Sequence, residues 1–165
     1  MAPGFHLTTT SSGTTLFPTG LAIEGRRAAE AKVILFPGKG DGAYGLGVTN
    51  LDATQQWVGM LVRRDGSVAL ARVQRGGEEL IGPWQAAEAI MRPDSNGYAT
   101  NVLRMQVGAD EVVFLANGKP ILSMPRSVLP ARSGVAFRMG PALNMHVTTF
   151  DLITPMAPVP AKKTP

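Results

Sequence analysis

The chain has 165 residues, no cysteine, 19 glycines, 13 prolines and ten aromatic residues. That length suits one domain of ordinary size, large enough to fold without a disulfide or metal staple. The absence of cysteine excludes a disulfide framework, a thiolate zinc site and a cysteine nucleophile. Sixteen basic and twelve acidic residues give a formal charge of +4, yet only 17% of residues are charged. Lys162 and Lys163 supply two of those positive charges, so the rest of the chain carries +2. Arginine outnumbers lysine eleven to five, a bias that suits fixed, bidentate or stacked contacts. No basic stripe interleaves with aromatics, so no nucleic-acid partner is expected. No apolar run is long enough to span a membrane. Met1–Thr10 shows no basic start and apolar run. No signal peptide is visible, which fits a cytoplasmic chain, or a periplasmic or extracellular one after leader removal.

In chain order, residues 8–15 form a small, polar segment that reads as a loop or an edge strand. Gly40-Asp-Gly42-Ala-Tyr-Gly45 matches a dinucleotide fingerprint in spacing, but Leu46-Gly-Val-Thr49 continues as a strand where that chemistry needs a helix. The apolar run Trp57–Val62 puts Trp57 in the core. Asp65-Gly66 separates Val58–Arg64 from Ser67–Arg75, and Asn117-Gly118 separates Val112–Ala116 from Lys119–Met124. Such dipeptides tolerate the positive φ that tight hairpin turns require. Asp41-Gly42 and Asn96-Gly97 are weaker turn markers. Trp84–Met91, bounded by Pro83 and Pro93, is too short for a packed helix and reads as one helical turn or an extended loop.

Alternation dominates the second half. Leu103, Met105 and Val107 share a face opposite Arg104 and Gln106. Val135, Phe137 and Met139 alternate with Ala136 and Arg138, and Leu143, Met145 and Val147 with Asn144, His146 and Thr148. The phase slips before Phe150 and Leu152, which predicts a β-bulge near Thr148–Thr149. Residues 155–165, with four prolines and two lysines, read as a flexible tail. The expected architecture is a single all-β domain over residues 1–154, an antiparallel two-sheet sandwich with little helix.

The candidate chemistry is that of binding. A glycosidase needs two carboxyl groups about 5–10 Å apart, which a strand supplies most directly at i and i+2 or i+4. No two of the twelve acids have either spacing, and the neighbours Glu78-Glu79 and Asp110-Glu111 face opposite ways on a strand. There is no G-x-S-x-G elbow, and two histidines without spaced carboxylates make no transition-metal site. Asp94-Ser-Asn96-Gly97 resembles only the start of a calcium loop, so no cofactor is expected. Sugars stack their C–H faces on aromatic rings while polar groups fix their orientation. Candidate ligand contacts are therefore Trp84, Tyr44 and Tyr98, with Arg63 and Arg72 beside the Asp65-Gly66 hairpin, and His146 on the polar face of a late strand.

From Tyr44 to Leu152 the order of motifs resembles the concanavalin A-like jelly rolls, and among them the laminin G-like domains and the bacterial 3-keto-disaccharide hydrolase-type domains. The residues that carry this are Tyr44-Gly45-Leu46, Asp65-Gly66, Trp84, Asn101-Val-Leu103-Arg104, Asn117-Gly118-Lys119, Gly134-Val-Ala-Phe137 and Phe150-Asp-Leu152. The resemblance implies a jelly-roll sandwich. It also implies a range of roles from lectin to hydrolase, although the Glu-x-Asp-x-Glu strand of laminarinase-type enzymes is missing. The expectation is a non-catalytic module that binds a glycan or a partner protein. The alternatives are an accessory subunit of a larger assembly, and a sugar hydrolase with acids from separate loops.

Overall fold

The computed structural model describes residues 4–10, 15–23, 27–74 and 77–153. Their thirteen strands are β1 (Phe5–Thr8), β2 (Thr15–Ala22), β3 (Arg27–Leu35), β4 (Tyr44–Asn50), β5 (Ala53–Val62), β6 (Ser67–Gln74), β7 (Gly77–Leu80), β8 (Gln85–Ala86), β9 (Ala99–Val107), β10 (Glu111–Ala116), β11 (Lys119–Pro125), β12 (Ser133–Met139) and β13 (Asn144–Ile153). The only helix among the described residues is a 3-10 turn over Arg126–Val128. The first sheet runs β1-β13-β3-β9-β10-β11 and the second β2-β12-β4-β5-β6-β7, with β8 also on the free edge of β6. All pairings are antiparallel, so this is the expected all-β sandwich. β13 lies between β1 and β3, and β12 between β2 and β4. Neither sheet is therefore complete until the last strands of the chain have docked.

The turns follow from the residues that make them. Asn117 and Gly118 adopt φ of 49° and 81°, as a tight hairpin turn demands. Gly66 (φ 83°) closes the β5–β6 hairpin. The pairing of β13 with β3 jumps from Val147 to Thr149: the predicted bulge leaves Thr148 out of register. Trp84–Met91 takes a different course from either expectation. Gln85–Ala86 pairs with Ser67–Val68 as a two-residue strand, and Ala87–Ile90 turn tightly through a 3.0 Å hydrogen bond from the Ile90 amide to the Ala87 carbonyl. The glycine-rich stretch enters β4 directly, with no helix after it. The proposed tail and residues 11–14 of the polar segment lie outside the described residues, while Thr8 ends β1 and Thr15 starts β2.

The core between the sheets is aliphatic and rich in methionine. Val33, Leu35, Leu103, Met105, Phe114 and Met145 of the first sheet meet Leu46, Val48, Met60, Val62, Val135, Phe137 and Met139 of the second. Burying each such side chain contributes about 1.5–3 kcal/mol, and the flexible thioethers fill irregular gaps. One polar network lies at the edge of this core. Asn101 donates to Tyr44 Oη (3.3 Å) and the Met91 carbonyl (3.0 Å), and accepts from the Met91 amide (2.8 Å) and Asn117 Nδ2 (2.9 Å). Asn117 in turn accepts the Val102 amide (2.8 Å) and donates to the Ala89 carbonyl (2.7 Å). Two motif residues, Asn101 and Asn117, thus pin the 87–91 turn to the β10–β11 hairpin.

The second sheet is buried on both faces, because its outward side carries a further apolar cluster of Trp57, Leu61, Ala71 and Ala136. Gly47 and Gly59 pair across β4 and β5, and the Trp57 indole lies against both. A methyl group on Gly47 would come within 2.2 Å of the Val58 carbonyl oxygen and 2.9 Å of the indole, and one on Gly59 within 2.7 Å of the indole. Gly47→Ala should therefore cost about 1–3 kcal/mol in urea unfolding. Gly82→Ala, where a methyl group meets nothing within 4 Å, should stay within about 0.5 kcal/mol of the parent.

Candidate functional site

The outward face of the second sheet presents three rows across its strands. Gly134, Thr49, Trp57, Val73 and Glu78 share one row. Ala136, Gly47, Gly59, Ala71 and Leu80 form the next, and Arg138, Gly45, Leu61 and Ala69 the third. Small residues in the middle row leave room for one large ring, and Trp57 fills it. Its Nε1–H points to the Ala136 carbonyl at 3.5 Å, and only 2% of the residue is exposed. Arg138 of β12 and Glu78 of β7 form an ion pair above this face. Those strands are four positions apart, roughly 19 Å in a flat sheet, further than the two side chains reach together. The sheet is therefore curled, and the pair closes its concave centre over the indole. The Arg138 guanidinium lies 5.8 Å from the Trp57 ring centroid, within the range of a cation–π contact.

The face remains open at its hairpin end. At the hairpin end, the exposed Arg63 stacks on the half-buried Trp84, with Cζ 3.8 Å from the ring centroid. Trp84 packs in turn against the outward cluster. Asp65 accepts the Ser67 hydroxyl (2.6 Å) and amide (2.8 Å), and these bonds hold its carboxyl below the usual range, helped by the charges of Arg63 and Arg92. Arg92 packs beside Gly66, where a methyl group would meet its Nε at 2.8 Å. Trp84, Arg63, Asp65, Ser67 and Arg92 thus form one surface with an aromatic floor and polar rim. At the opposite end of the sheet, on its inner side, a cleft of about 200 Å³ lies between the ends of β4, β5 and β6 and residues 128–130.

The residues singled out from the sequence disperse around this framework. Trp84 and Arg63 come together. Arg72 lies at the opposite end, joined to Glu79 by two hydrogen bonds (2.8 and 3.1 Å) that lower the Glu79 pKa and raise that of Arg72. Tyr98 is 44% exposed but packs edge-on against Phe36 at 5.7 Å, on the side of the first sheet. Two expectations need correction. His146 points outward from β13 yet is 3% exposed, because Gly4 and its neighbours lie over it. Tyr44 is 1% exposed and belongs to the core. Burial withdraws both rings from any surface ligand. Trp57 is buried as expected, on the outward face of its sheet. The signal for that face was present in Gly47 of β4 and Gly59 of β5, which pair beside it. The amides at the far cleft, Asn50, Gln56 and Gln74, had no signal, since a loop some 55–80 residues away forms its other wall.

Asp94 Oδ1 accepts the amides of Asn96 (2.9 Å) and Tyr98 (3.0 Å), so its carboxylate braces its own turn. Among the described residues no three His, Asp or Glu side chains come together as a metal site, and no helix is long and apolar enough to cross a membrane.

No protein-family model and no curated protein sequence matches this chain. Solved structures do. The carbohydrate binding module CBM66 from Bacillus subtilis aligns over 90% of this chain and 91% of its own, with a TM-score of 0.69 and 12% identity. Sheep galectin-11, in complex with glycerol, aligns over 87% and 98% (TM-score 0.58, 16% identity). A Bacteroides ovatus mixed-linkage glucan GH16, in complex with a product, aligns over 90% and 80% (TM-score 0.61, 10% identity). At these identities the likeness is one of fold. The chain has the jelly-roll sandwich fold.

Burial raises the Tyr44 pKa from 10.0 to about 12, against smaller opposing effects of Asn101 and Arg64. An unfolded tyrosine ionises near pH 10 while the folded one stays neutral, so Tyr44 stabilises the fold fully below pH 10. That contribution is lost as pH rises towards 12. Urea unfolding across this range should show a weaker alkaline loss in Tyr44→Phe than in the parent.

Proposed function

We propose that this protein is a non-catalytic glycan-binding module that needs no cofactor and uses the hairpin end of its second sheet. The observation that carries this reading is the Arg63–Trp84 stack. A guanidinium stacked on an indole is held in one plane, and its edge N–H groups still point outward as donors. Sugar hydroxyls would accept from that edge and from Arg92, and donate to Asp65, while the sugar's C–H face packs on the indole left exposed. Asp65 suits the acceptor role because its lowered pKa keeps it ionised at neutral pH. Solved structures of the same fold that are titled as a carbohydrate binding module and as galectins support the reading. The hydrolase alternative fares worse on the positions of the acids. Glu30, Asp52, Glu78 and Glu79 each form an ion pair with an arginine, and Asp65 and Asp94 brace their own turns.

A glycan array followed by calorimetry tests this directly. The parent should bind at least one saccharide, and Trp84→Ala should weaken it tenfold or more, as loss of a central aromatic contact does. Arg63→Ala should weaken it severalfold. A parent that binds no saccharide, or a Trp84→Ala protein that binds as well as the parent, contradicts the reading.

A further inference from the structure

We propose that the cleft at the far end of the second sheet is a separate binding site for a single uncharged, hydroxyl-rich ring, such as one neutral sugar unit. Its polar wall is made by Asn50, Gln56, Arg72 and Gln74, and its apolar wall by Val128, Leu129 and Pro130. The apolar wall is fixed from below: the Leu129 amide bonds the Arg126 carbonyl at 3.0 Å, and Ser133 Oγ bonds the Pro130 carbonyl at 2.6 Å.

The chemistry of the polar wall selects the ligand. Asn50 Nδ2 donates to Gln56 Oε1 at 3.1 Å, and Asn50 Oδ1 accepts the Asp52 amide at 2.9 Å. These bonds orient the Gln56 side chain and leave its Nε2 group as a donor. The Gln74 carboxamide makes no hydrogen bond among the described residues, so it offers both donors and an acceptor. Arg72 is already neutralised by its paired bonds to Glu79. An anion would have to displace Glu79, and a cation would have to displace Arg72. Neighbouring hydroxyl groups, which both donate and accept, fit the wall as it stands.

Size sets the rest. About 200 Å³ is below the roughly 300–1,000 Å³ of pockets that hold drug-sized ligands, so the cleft takes one ring and no more. Gln56 and Arg63 are seven positions apart along the chain, roughly 23 Å, and the cleft side chains face inward while Trp84 packs on the outward cluster. The cleft is thus distinct from the Trp84 surface and does not depend on it.

Trp84→Phe protein, which lacks the hairpin-end indole, is titrated calorimetrically with a panel of neutral methyl hexosides, with glucuronate and glucosamine as charged counterparts. At least one neutral glycoside should give a saturable heat, and Gln74→Leu and Gln56→Leu, each made in the Trp84→Phe background, should each weaken its binding about tenfold, as loss of one or two net hydrogen bonds does. Gln74 is exposed, so its substitution tests the site even if the Gln56 variant fails to fold. No response to any neutral glycoside overturns the proposal. So does tighter binding of a charged counterpart, or an affinity that Gln74→Leu leaves unchanged. Loss of glycan binding by Trp84→Ala alone bears only on the hairpin-end surface.

Discussion

The contact on which the outward face of this sandwich depends is that of the Trp57 indole with the paired glycines of β4 and β5. A side chain at Gly47 or Gly59 would strike the ring or a neighbouring strand's carbonyl. Only glycine therefore lets the indole lie flat and bury. With the ring seated, Leu61, Ala71 and Ala136 gather around it, and the sheet curls far enough for Glu78 of β7 to reach Arg138 of β12. The guanidinium, whose side chain is only 10% exposed, would be costly to bury without that carboxylate. The glycines, the indole and the ion pair thus form one arrangement, and it closes the centre of the outward face and leaves its hairpin end open.

That division governs where a ligand can bind. A jelly roll supplies a curved sheet but no particular chemistry, so function has to be read from what lies along the face. Here the aromatic ring at the hairpin end remains half-exposed and is flanked by donors and an acceptor, whereas the one at the centre is sealed. The arginine bias of the composition finds its explanation in the same places. Arg63 stacks, Arg72 makes a two-bond pair, Arg104 and Arg132 pair with Glu30 and Asp52, and Arg138 clasps the face. Lysine, with a point charge on a flexible stem, would serve less well in these fixed geometries. Much of the positive charge is therefore structural.

Local features of the fold were legible in the sequence because they depend on neighbouring residues. The Asp65-Gly66 and Asn117-Gly118 hairpins, the alternation in β9, β12 and β13, and the bulge at Thr148 are each written in a few consecutive positions. So is the opposite facing of Glu78 and Glu79, which pair with Arg138 and Arg72 respectively. The site was less legible, because burial depends on distant segments. Tyr44 is followed by a strand pattern but gives no hint that Asn101 will cap its hydroxyl. His146 alternates like a surface residue, yet β1, from the other end of the chain, covers it. Trp57 was read correctly as buried, but the face that buries it was not legible, since alternation alone cannot say which face a second layer will cover.

The closed centre can be measured through the indole itself. In Trp84→Phe protein, Trp57 emission should be blue-shifted and resist quenching by acrylamide, and Glu78→Gln in that background should shift it red and raise the quenching by weakening the clasp. Free quenching of Trp57 in the Trp84→Phe protein, or no change on substituting Glu78, would contradict the account.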